Sequence, residues 1–150
     1  MFGQGITGSN KNVPQWIREL VSEIERDYDF KLDDIYFKEP TRNKDYYGAC
    51  YSSRNYIELY FSREKNKLRT FIILHELGHA IQDICHLETV TKRPKGKNRV
   101  NHNNVFWDIV GELYLKYNVL DTAIANEYKK GRKYLKENFH LDMKMEISSK

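Results

Sequence analysis

The sequence predicts an α+β domain in which a small antiparallel sheet packs beside a long apolar helix. Three observations carry this. Apolar residues recur at helical spacing over residues 13–28 and again beyond residue 62. Two aromatic, β-prone runs lie between them, at 46–51 and 56–61, joined by the polar stretch Ser52-Ser53-Arg54-Asn55 that reads as a hairpin turn. The order helix, short strands, further helices is that of an α+β chain.

Taken in order, residues 1–12 form a Gly/Ser/Asn-rich tail that lacks the apolar centre of a signal peptide. A first helix is expected over 13–28, because Pro14 suits a first helical turn and Trp16, Ile17, Leu20, Val21 and Ile24 share one face. Residues 33–37 read as a short strand and 40–45 as a polar turn. Ser62 is the expected cap of a long helix running to about residue 87. Leu68, Phe71, Ile72, Leu74, Leu77, Ala80, Ile81 and Ile84 make that helix apolar on most of its circumference, the pattern of a buried helix. A further helix is expected over 103–117, with Phe106, Ile109, Val110, Leu113 and Tyr117 on one stripe, and a last one over 122–139. Residues 141–150 are a charged tail, which leaves one domain over 13–140.

At 150 residues the chain is long enough for a single sizeable core. Hydrophobic content of 40% and charged content of 31% are those of an ordinary soluble protein. No apolar run approaches the roughly 18 residues that a membrane span needs. Cys50 and Cys85 are too few for a disulfide framework and are expected as small buried side chains in a reducing compartment, which suggests a cytoplasmic protein. The net charge of +4 is modest, but Lys92, Arg93, Lys95, Lys97 and Arg99 fall close together around Pro94 and Gly96 with no acid. Such a run is a solvated loop or an electrostatic contact to nucleic-acid phosphate or an acidic protein.

Within the long helix stands His75-Glu76-Leu77-Gly78-His79. Imidazoles at i and i+4 share one helix face about 6 Å apart along the axis, so both reach one ion. Zinc suits two neutral imidazoles and one more ligand, with the fourth position open to water. A glutamate beside the first histidine is then placed to act on that water as a general base. In an otherwise apolar helix, ionisable groups at 75, 76 and 79 need partners or a metal.

A third ligand has to come from elsewhere. His86 lies on nearly the same face but about 10 Å beyond His79 along a continuous helix, out of reach of bonds about 2 Å long. Gln82 and Cys85 occupy the positions where a helix-breaking glycine and a third histidine would be needed for a nearby ligand. His86 instead suits a helix C-terminus. His102 is the better candidate, since the stripe that buries the 103–117 helix carries it inward as well. Asp108 and Glu112 are the acidic alternatives on that helix.

Four segments in order extend this reading: Tyr47-Gly48-Ala49-Cys50-Tyr51-Ser52, Tyr56-Ile57-Glu58-Leu59, Ile73 to Ala80 around the His-Glu motif, and Asn101-His102-Asn103-Asn104-Val105-Phe106-Trp107. Together they resemble the SprT-like and YgjP-like (WLM-related) zinc metallopeptidases over about residues 46 to 110. The resemblance implies a minimal zincin-like fold, Zn2+ held by His75, His79 and His102, and Glu76 as catalytic base acting on a protein or peptide substrate. The 22 residues between His79 and His102 are many for a YgjP-like protein and suit a SprT-like one. The SprT-like link to DNA-associated proteolysis bears on the basic segment that fills this interval. A strand of the 56–61 hairpin, or its neighbour, would line the cleft and hold an extended peptide by its edge.

Two other readings stay open. Peptidases that resemble regulators of phage repressors and radiation response share His-Glu-Leu-Gly-His but use a downstream Glu in a Glu-x-x-Ala-Asn signature; here residues 122–126 are Thr-Ala-Ile-Ala-Asn. Alternatively the domain keeps a closed structural zinc, with His86, Cys85 or Glu112 completing four ligands, and serves as a binding or scaffold module. The group that stabilises the oxyanion is not singled out by sequence, because 11 tyrosines as well as Arg132 and His86 qualify.

Overall fold

In the computed structural model, which describes residues 12–40, 47–51, 54–84 and 104–140, helix α1 (Gln15–Tyr28) buries the stripe Ile17, Leu20, Val21 and Ile24. Pro14 stands just before the helix, and its carbonyl accepts the N–H groups of Ile17 and Arg18. Asp29 ends it in the left-handed region at φ 56°.

Strands β1 (Asp34–Lys38), β2 (Tyr47–Tyr51) and β3 (Tyr56–Tyr60) form one sheet of order β1-β3-β2. The expected antiparallel sheet is corrected to a mixed one: β2 runs antiparallel to β3, but β1 runs parallel to it. Asn55 explains the parallel pair. Held at φ 61°, it accepts the N–H of Asp33 on its carbonyl at 2.8 Å and donates its side-chain amide to the Lys31 carbonyl at 2.9 Å. That clamp sets the starts of β1 and β3 side by side. Ile57 and Leu59 of β3 are fully buried, which suits a central strand. Ile35 and Phe37 share their inner face, and Gly48 and Cys50 of β2 lie opposite Leu59 and Ile57. Cys50 is half-buried there rather than buried.

Helix α2 (Lys67–Ile84) starts later than expected. Its cap is Asn66, whose Oδ1 accepts the Arg69 N–H at 2.8 Å, and not Ser62. Residues 61–65 are held outside the helix by other partners. Phe61 is buried, and Arg63 donates its N–H to Glu39 at 3.2 Å and its guanidinium to the Asn12 carbonyl at 2.9 Å. Ile73, Leu74, Leu77, Ala80 and Ile81 are fully buried, so α2 is the central helix that its composition demands.

Beyond it come α3 (Asn104–Lys116), α4 (Leu120–Asn126), α5 (Lys129–Leu135) and a π-helical turn (Lys136–His140). The single helix expected over 122–139 is therefore broken. Glu127 and Tyr128 are both extended, at φ −75°, ψ 168° and φ −63°, ψ 156°. His86, Cys85, His102, the basic cluster Lys92, Arg93, Lys95, Lys97 and Arg99, and both tails apart from Asn12 lie outside the described residues. Among the described residues no helix is long and apolar enough to cross a membrane.

Close helix packing depends on glycine. A Cβ at Gly78 of α2 would run into Val110 Cγ1 of α3 and lie 3.0 Å from Phe106 Cε1. Alanine at 78 would gain helix propensity of about 1 kcal/mol, but the stiff, β-branched Val110 cannot swing away. Gly78→Ala is expected to destabilise the domain by about 1–3 kcal/mol, as overpacked cores do. Urea unfolding of the two proteins checks this, and equal midpoints would show that α2 and α3 are not in register as described.

Candidate metal centre

Helix α2 brings His75 and His79 together as their spacing requires, with ring centroids 5.0 Å apart. Aromatic side chains wall them in. Phe106 of α3 stacks on His79 at 4.3 Å and 17° and meets His75 edge-on at 5.0 Å. Phe71, one turn before His75, lies edge-on at 6.2 Å.

The break between α4 and α5 turns Glu127 into this apolar enclosure. His75 Nδ1 and Glu127 Oε2 are 2.8 Å apart, and the Tyr114 hydroxyl donates to the same oxygen at 2.7 Å. The Tyr128 N–H donates to the other oxygen at 3.2 Å. Glu127 is only 6% exposed and Tyr114 is fully buried. Burial by itself raises Glu127, but the hydrogen bonds and charge of His75 and the Tyr114 hydrogen bond bring it below its ordinary value. Burial likewise pulls His75 down, and the Glu127 hydrogen bond and charge, joined by Glu76, outweigh it to leave a net upward shift. Tyr114 is raised by burial first and by Glu127 second, so it stays a proton donor.

Glu76 has the opposite environment from Glu127. It is 9% exposed, and burial pushes it up to about 7 despite the lowering effect of His75, with Glu127 adding to the rise. Its side chain faces β2. A Cβ at Gly48 would lie 3.2 Å from Glu76 Cγ and 2.7 Å from Ile72 Cγ2, so the missing side chain is what lets β2 close on α2 beside this carboxylate.

The chemistry of these donors fits zinc. A carboxylate on Nδ1 of an imidazole fixes the tautomer and raises the basicity of the other ring nitrogen, so Nε2 is the atom of His75 that would face a metal. His79 would supply the second imidazole. Among the described residues, no group of three or more His, Cys, Asp or Glu side chains is assembled as a complete metal shell. For a metal held by these two imidazoles, a further ligand would have to come from outside the described residues, where His102 lies, or from a rearranged Glu127.

The acidic alternatives on α3 are engaged elsewhere: Glu112 accepts the Tyr28 hydroxyl at 2.9 Å and Asp108 the Tyr134 hydroxyl at 2.6 Å. Sequence reasoning missed Glu127, Tyr114 and Tyr128. The signal available was the Asn-Glu-Tyr run at 126–128, which a continuous helical pattern concealed. No protein-family model matches the chain, and no curated protein or solved structure shows significant similarity to it.

If Glu127 orients His75, Glu127→Ala should weaken zinc binding by about 10- to 100-fold, as loss of a carboxylate behind a ligating histidine typically does. Competition with a chromophoric chelator measures this. Unchanged affinity would assign the Glu127–Tyr114 pair to packing alone.

Proposed function

We propose that the chain is a zinc-dependent metallopeptidase. The observation that carries the reading is the placement of Glu76: a buried carboxylate raised to about 7, one residue from a carboxylate-anchored imidazole and beside the outer strand β2. Under this reading His75 and His79 hold the metal with His102 as third ligand, the last on the strength of the family resemblance. Zinc, when bound, lowers the pKa of a water towards about 7 and polarises the scissile carbonyl.

The chain's own groups supply the remainder. Glu76 accepts a proton from the attacking water and returns it to the amine nitrogen as the C–N bond breaks, the part of a general base beside a metal-activated water. Strand β2, not the central β3, is the outer strand nearest Glu76 among the described residues, and it is the strand on which an extended peptide would pair. Contact of the 92–99 segment with nucleic acid belongs to the SprT-like form of this reading and would be phosphate-directed and steeply salt-dependent.

A second reading is favoured by one contact. With its carboxylate 2.8 Å from His75 Nδ1, Glu127 would have to leave that nitrogen to serve as a ligand in the manner of the Glu-using peptidases. Zinc lost in His102→Ala but only weakened in Glu127→Ala supports His102, and the reverse pattern supports Glu127. The scaffold alternative needs a closed shell of four protein ligands and leaves Glu76 without a role.

Protein purified without chelator should carry about one zinc, and less than about half an equivalent would count heavily against the site. Glu76→Gln is expected to lower cleavage of an unfolded protein substrate by at least about 100-fold with zinc retained. His75→Ala and His79→Ala should lose both metal and activity. Cleavage surviving in Glu76→Gln would sink the mechanism.

A further inference from the structure

Tyr128 stands where the buried cluster meets solvent. It is 60% exposed, whereas His75, Glu76 and Glu127 are all below 10%. Its ring centroid nevertheless lies 6.0 Å from that of His75, and the carboxylates of both Glu127 and Glu76 act on its hydroxyl. The bond from its N–H to Glu127 ties its backbone to the same carboxylate that holds His75. Ile72 and Glu76 face β2, while His75 faces Glu127 and Tyr128. Base and phenol thus both border His75.

Hydrolysis of a peptide needs a donor for the carbonyl oxygen, which gains negative charge as water adds, and the base cannot fill that role.

We propose that Tyr128 is the electrophilic residue of the site, its hydroxyl donating a hydrogen bond to the scissile carbonyl oxygen; this rests on the metallopeptidase reading. As the water oxygen bonds to the carbonyl carbon, the π electron pair moves to the oxygen that Tyr128 contacts, and Glu76 takes the water's proton. Collapse restores the C=O bond, breaks C–N and delivers that proton to the amine. Tyr128 keeps its own proton throughout.

The test uses the full, zinc-loaded chain and Tyr128→Phe, a change that removes one oxygen from an exposed ring. On a fluorogenic peptide built from a casein bond that the parent chain cleaves, kcat should fall about 100-fold or more. KM should stay within about twofold and zinc content unchanged, because the bond forms only as charge develops. Acetohydroxamate, a carbonyl-bearing zinc ligand, should bind the variant about tenfold more weakly, the worth of one hydrogen bond. Unchanged kcat with unchanged hydroxamate affinity overturns the assignment while the peptidase reading stands. A fall in kcat accompanied by loss of zinc overturns it too, since Tyr128 would then only support the site. A zinc-loaded parent chain that cleaves nothing overturns the peptidase reading and this inference with it.

Discussion

The hydrogen bond between His75 and Glu127 joins positions 52 residues apart inside an apolar interior, and the helical half of the molecule is arranged to make it possible. An imidazole or carboxylate left alone at that depth would cost several kcal/mol. Three donors converge on the two carboxylate oxygens, from His75, Tyr114 and the Tyr128 backbone, so Glu127 is held as an anion in the core. Tyr114 requires α3 to lie against α2, and Glu127 requires the chain to leave helical geometry after Asn126. The break between α4 and α5 is therefore a consequence of the buried polar set, whose pairing outweighs the few tenths of a kcal/mol per residue that helix propensity could add.

Around that polar set the packing is held by glycines facing larger side chains. Gly78 admits Val110 and Phe106, Gly111 admits the Phe139 ring, and Gly131 admits the Trp107 ring. Each lets an aromatic or branched side chain sit on helix backbone. The first of these contacts sets Phe106 flat on His79. Both motif imidazoles thus have their orientations fixed, one by stacking and one by a carboxylate, on a helix that is itself buried. Such support on rigid elements is what a metal site needs if ligand geometry is to survive thermal motion.

Much of this was legible in the sequence. Apolar periodicity located α1, α2 and α3 because each buries a stripe or a whole circumference, and the i, i+4 histidines followed from helix geometry alone. Strand existence was legible too, from the aromatic runs. The antiparallel β2–β3 hairpin was legible as well, but the parallel place of β1 was not, because it rests on Asn55 bonding to Lys31 and Asp33, a tertiary clamp with no local signature. Ser62 and Asn66 are equally good caps by type, and only the outside partners of Phe61 and Arg63 decide between them. Residues 122–139 contain no proline and one glycine, so nothing local marks the break that delivers Glu127 and Tyr128.

Two carboxylates flank His75, and their environments drive them apart. Glu127, met by three donors, falls below its ordinary value, whereas burial pushes Glu76 up to about 7. Pairs of titratable groups separated in this way divide their roles, one serving as fixed charge and the other as proton carrier. A fold retaining zinc only for stability would gain nothing from a poorly solvated acid beside its first ligand, and replacing that acid by an apolar residue would stabilise it. Glu76 is moreover held against the outer strand through Gly48. The cost of burying Glu76 is one that the proposed hydrolase would recover in chemistry, and the asymmetry of the two carboxylates supports that proposal beyond the motif alone.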